Sequence, residues 1–140
     1  MSHARRGTRD DGSVDAHDLD LRRQILASFA ATGAPPDLAG ADLTSLAEQH
    51  VVALGADGRI LMAHPFAAHH EGARVDAAGR TWWGNCAWDG LGIVALLGLA
   101  EATVTSNGIA LRIEAGALRD EALFHVAVPA RAWWDDIGFT

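Results

Sequence analysis

The sequence predicts an α+β domain: a small winged-helix-like helical lobe, then a core with one central helix against a mixed or antiparallel sheet. Three observations lead there. Leu21, Ile25, Leu26 and Phe29 recur at helical spacing near the start. Short apolar and β-branched runs bounded by Asp57-Gly58 and Asn107-Gly108 read as strands joined by tight hairpins. Between those runs, Leu91 to Ala100 is an apolar stretch of about ten residues, long enough for a buried helix and too short to cross a bilayer.

Residues 1–17, polar and glycine-bearing with almost no large apolar side chains, read as a disordered leader. The helical lobe follows over 18–66. Its first helix has Asp18 or Asp20 as N-cap and Gly33 as stop, and Pro35 and Pro36 force an extended break. A second short helix, ADLTSLAEQH, is expected to bury Leu43, Leu46 and Ala47, with Asp42 or Thr44 capping it. VVALGADGRILMAHPF then reads as a hairpin about Ala56-Asp57-Gly58. Two helices and a hairpin have winged-helix form, in which a DNA-reading role is conceivable. The second helix, however, carries Glu48 and no arginine to meet phosphates.

The core spans 67–140. ARVDA is a strand with a turn at Gly79, and the central helix runs from about Cys86 to Leu97 with Asn85 as N-cap. ATVTS, GIALRIEAG and LFHVAVP follow as three further strands. ARAWWDDIGFT starts as a turn or short helix and stops, leaving Ile137 and Phe139 near an open terminus, so the chain reads as cut short there.

Composition bounds the function. Apolar residues make up 49% of the chain, enough for a true core, and the formal charge is −7 with arginine as the sole cationic side chain type besides histidine. That balance opposes broad nucleic-acid binding, which needs cationic surface to release counterions. A single cysteine excludes an internal disulfide and an all-cysteine zinc site, and it fits a reducing compartment. No secretory h-region opens the chain, so a soluble cytoplasmic protein with no membrane partner is expected.

The chemistry-bearing stretch is TWWGNCAWDGLGIVALLG. Cys86 falls in the first turn of the expected helix, where free N–H groups and the helix dipole favour a thiolate. Asp89, three residues on, shares its face. Trp82, Trp83 and Trp88 are the candidate substrate-pocket walls around this pair, and an apolar setting raises a carboxyl pKa, which suits a proton donor. The same burial resists ionisation of the thiol, so the helix terminus has to outweigh it; a buried, inert cysteine is the plain alternative. His64, beside Pro65, is placed to line whatever pocket the lobe covers. Adjacent His69 and His70 point apart on any regular element and suit loop positions better than a metal site. His125 alternates with Phe124, Val126 and Val128 as a packed or surface residue of a strand. Asp135 and Asp136 mark a solvated turn.

NCAWDGLGIVALLG, preceded by RILMAHPF and GRTWWG and followed by FHVAVPARAWWDDIGFT, resembles the organomercurial (alkylmercury) lyase family of MerB-like proteins. The likeness runs from about Leu21 to the last residue. It implies a MerB-like core and protonolysis of a carbon–mercury bond, without a cofactor. Cys86 matches the cysteine whose thiolate captures the mercury of the organomercurial substrate, and Asp89 matches the aspartate that relays a proton to the departing carbon. Soft sulfur suits a soft metal. The family's second cysteine is expected about where this chain stops, at Thr140, and no other cysteine replaces it. Exogenous thiols are then the expected partners for product release. Two other readings remain at this point. The fold retains a soft-metal or small-molecule pocket without turnover, with His64 or His125 assisting the thiol, or it serves another reaction on an organic substrate.

Overall fold

In the computed structural model, residues 15–126 and 128–136 are described. The expected leader lies mostly outside them, as do Ile137 and Phe139. Helix α1 (Ala16–Thr32) starts earlier than expected: Asp15, not Asp18 or Asp20, is its N-cap, accepting from the His17 N–H. Asp18 is instead buried, accepting from Ser45 Oγ at 2.6 Å and Gln49 Nε2 at 3.0 Å. A capping carboxylate and a carboxylate one turn into a helix look alike in sequence; here the second ties α1 to helix α2 (Thr44–Glu48). Leu43, not Asp42 or Thr44, is the N-cap of α2; Asp42 just before it accepts from the Thr44 N–H, and hydrogen bonds from the Thr44 side chain and backbone hold its carboxyl below the usual range.

Leu21, Ile25 and Phe29 form the buried stripe of α1, and Phe29 stacks on Phe66 with ring centroids 5.4 Å apart. The helix ends at Gly33, left-handed at φ 75°. Its last carbonyls are satisfied from strand β5 (Arg80–Gly84): Trp82 Nε1 donates to Ala30 O at 3.1 Å, and the Arg80 guanidinium donates to Ala30 O and Ala31 O. A cation at a helix C-terminus complements the dipole, and α1 has no basic residue of its own in its last turn.

Strands β1 (Ala53–Leu54), β2 (Ile60–Ala63) and β3 (Phe66–Ala67) form a small antiparallel sheet. The Asp57-Gly58 turn joins the first two as expected, and Ala63 pairs with Phe66, so His64 and Pro65 are the tip of the β2–β3 turn. The larger sheet runs β5-β4-β6-β7-β8, antiparallel throughout, with β4 (Ala73–Ala77), β6 (Ala102–Ser106), β7 (Ile109–Glu114) and β8 (Ala117–Leu118). Gly79 and Asn107-Gly108 turn its hairpins, as expected, and both Asn107 and Gly108 have positive φ. One face, built by Ala73, Val75, Ala102, Val104, Leu111 and Ile113, is buried. Helix α3 (Ala87–Leu97) packs across β4, β5 and β6 with Ile93 and Val94 inward.

The described residues of LFHVAVP do not form the expected strand. Residues 121–126 pair with nothing in the sheet, and the place beside β7 is taken by Ala117–Leu118. Asp120 explains the exit: it accepts from the Arg112 backbone at 2.7 Å and from its guanidinium at 3.2 Å, ending the pairing before the apolar run is reached. A short 3-10 turn follows at Ala130–Ala132. No helix among the described residues is long and apolar enough to cross a membrane.

Candidate functional site

The site forms where the N-terminus of α3 meets the end of β5. Three glycines allow the approach. A Cβ on Gly84 would lie 2.8 Å from Asp89 Cβ, and one on Gly90 would lie 2.5 Å from Val104 Cγ1, inside the buried sheet face. On Gly92 it would meet Pro65 at 3.2 Å, so the β2–β3 turn rests on α3 at that point. The glycines of the NCAWDGLG stretch thus set how deeply the helix seats and how near His64 comes to it.

Cys86, not Asn85, is the N-cap of α3, with extended backbone (φ −144°, ψ 175°). Its half-buried Sγ lies 3.7 Å from Asp89 Oδ2, so the two residues do share a face as their spacing predicts. Burial pushes the Cys86 thiol up, opposed by the N–H groups of Asp89 and Trp88; the neighbouring Asp89 carboxylate adds to the rise. Of the two opposing effects weighed from the sequence, burial outweighs the helix terminus: desolvation and the facing Asp89 side chain push the thiol up against the pull of two N–H dipoles. The pair thus sets a sulfur whose burial favours the thiol against the carboxyl group of Asp89.

The tryptophans occupy three different places. Trp82 is 3% exposed, under the Arg80 guanidinium and bonded to the end of α1. Trp83 projects from the opposite face of β5 and stacks on His70 at 4.9 Å. Trp88 is 66% exposed, edge-on to Phe124 at 5.7 Å. Beside Asp89 stands His64, backed by other rings. His64 Nδ1 is 3.7 Å from Asp89 Oδ1, Trp134 meets His64 edge-on at 5.4 Å, and His50 stacks on Trp134 at 4.3 Å. Beside them, between α1, α2 and β2, opens a cleft of about 270 Å³ lined by Arg22, Ile25, Gln49, His50 and His64 among others.

His64 therefore does face the site, as its place beside Pro65 suggested, whereas His50 and Trp134 carry no local signal. Trp134 lies 45 residues beyond Asp89 in the chain, and His50 adopts positive φ just after α2. His125 is exposed within the unpaired stretch rather than on a strand. His69 accepts from the Glu71 N–H while His70 turns to Trp83, so the adjacent pair diverges as expected. Among the described residues no group of three histidine, cysteine or carboxylate side chains gathers to hold a metal ion.

The family model for MerB, alkylmercury lyase, matches residues 66–137. No curated protein matches the sequence. Among solved structures, the chain is similar to the crystal structure of the mercury-bound form of MerB2, with 19% identity and a TM-score of 0.58 over 77% of this chain and 61% of that one. At that identity the likeness shows the fold alone, and the chain spans about three fifths of that structure's length.

Proposed function

The chain belongs to the alkylmercury lyase family, and from this we propose that it cleaves carbon–mercury bonds of organomercurials by protonolysis, with Cys86 as mercury ligand and Asp89 as proton carrier. The observation that carries the reading is the Cys86 Sγ to Asp89 Oδ2 approach of 3.7 Å, at a sulfur whose burial favours the thiol. A protonated thiol facing a carboxylate can exchange one proton for one metal. When the mercury of R–Hg–X bonds to Cys86 sulfur, X⁻ leaves and the thiol proton passes to Asp89. Asp89 then delivers that proton to the carbon as the C–Hg bond breaks, releasing R–H and leaving mercury on sulfur.

The chemistry suits the residues. Sulfur is the softest donor the chain offers a soft metal, and a carbanion-like leaving group needs an acid within reach. Seating both groups on one helical turn supplies the orientation that makes the transfer effectively unimolecular. The chain holds one cysteine, so an exogenous small thiol supplies the second sulfur and carries Hg²⁺ away. We also take the pocket for the organic group to be walled by aromatic side chains; Trp88, exposed beside the helix terminus, is the one of the three sequence-stretch tryptophans best placed for this.

The test is hydrocarbon release from methylmercury in the presence of excess small thiol, run beside Cys86→Ser. Methane is expected from the wild-type chain and none above background from the variant. One-to-one mercury binding through Cys86 without methane would instead make this a capture module. Methane formation that survives Cys86→Ser would remove the cysteine from the mechanism.

A further inference from the structure

We propose that His64 is a positioning residue for Asp89: it holds one carboxylate oxygen so that the other faces the Cys86 sulfur. The inference rests on the reading of Asp89 as proton carrier. Its geometric basis is a division of labour across one carboxylate. Oδ1 faces His64 Nδ1 at 3.7 Å and Oδ2 faces Cys86 Sγ at 3.7 Å. An aspartate carboxylate turns easily about its terminal torsion. A partner fixed on one oxygen decides where the second one points.

His64 is well placed to be that partner. It stands at the tip of the two-residue turn between β2 and β3, and the next residue, Pro65, rests against Gly92 one turn along α3 from Asp89. Trp134 meets the imidazole edge-on, and His50 backs Trp134 in turn. The other ring nitrogen, Nε2, is buried without a hydrogen-bond partner among the described residues, so the contact with Asp89 is the polar interaction the ring makes. The 3.7 Å separations are longer than hydrogen bonds. Contacts of this kind are often long before substrate arrives and tighten when the reacting groups are assembled.

A helix–turn contact could also be plain packing, so the test needs a readout that packing would not move. Cys86 alkylation by iodoacetamide at pH 8 is such a readout, because a carboxylate aimed at the sulfur suppresses the thiolate. Asp89→Asn is expected to speed alkylation several-fold. His64→Leu is expected to speed it in the same direction, and the double variant no further than Asp89→Asn alone. His64→Asn, whose amide N–H occupies the place of Nδ1–H, should keep the wild-type rate, while His64→Gln, whose amide reaches past it, should behave as leucine does. Should His64→Leu fail to fold, the asparagine and glutamine variants decide the matter. On methylmercury, His64→Leu should lower kcat about ten- to a hundredfold with KM little changed, and His64→Asn should restore it. Additive effects of His64→Leu and Asp89→Asn on alkylation, or equal rates for the asparagine and glutamine variants, would overturn the proposal. If the wild-type chain releases no methane, the lyase reading fails while the alkylation cycle still decides the role of His64.

Discussion

Two stretches meet at Asp89 and are held in opposite ways. The first turn of α3, with Gly84 and Gly90 on either side of Cys86 and Asp89, is seated so closely on the sheet that a single Cβ at either glycine collides with its neighbour. Residues 121–126 and 128–136 reach the same place through ring contacts, Phe124 edge-on to Trp88 and Trp134 edge-on to His64 and stacked on His50, while Leu123 is fully exposed and Val126 is 60% exposed. The lesson is that the reactive pair is built on a helix turn seated tightly against the sheet. Its aromatic cover is attached through few buried apolar contacts, which is the low end of local stability.

The sharpest way to break that contrast is Gly90→Ala. Helix propensity alone favours alanine by about 1 kcal/mol. Against this, the new methyl would lie 2.5 Å from Val104, which is fully buried and cannot yield. Overpacking should win, for a net loss of about 2 kcal/mol in urea unfolding; an unchanged or raised midpoint would mean that the helix is not seated as described.

A middle-sized effect concerns the thiol itself. Because burial pushes the Cys86 thiol up, its alkylation at neutral pH should be slower than that of a free small thiol, and should keep rising with pH beyond the ordinary cysteine range. The sign for stability follows. With the folded-state pKa above the unfolded one, this group's contribution is fully present below the unfolded thiol pKa and is lost as pH rises through the folded value. A rate that levels off below the ordinary cysteine range would show a thiolate favoured by the helix terminus after all.

The smallest effect belongs to the cover. Leu123→Ser should alter stability by less than about 0.5 kcal/mol, since a side chain already in water loses no burial. A loss well above 1 kcal/mol in thermal or urea unfolding would show that the segment is packed as firmly as the helix it lies over.

Some of this molecule was determined by the sequence alone. The buried stripe of α1, the Asp57-Gly58 and Asn107-Gly108 turns, and the placing of Cys86 and Asp89 on one helical face all rest on interactions within a few residues, where spacing and backbone preference suffice. The family resemblance was legible in the same local motifs, and the match over residues 66–137 bears it out. Other features needed the tertiary structure. LFHVAVP has strand composition, but a strand needs a neighbouring edge, and β8 with the Asp120–Arg112 pairing ends the sheet before that run begins. Asp18 reads as a cap until α2 arrives to offer Ser45 and Gln49. Trp82 belongs to the end of α1 because Ala30 lies opposite it, and the ring of His50, His64 and Trp134 beside Asp89 gathers side chains from three distant parts of the chain. The direction in which the Cys86 thiol is pushed was decided in the same way. A helix terminus is a local property, but the burial that outweighs it depends on everything packed around the sulfur.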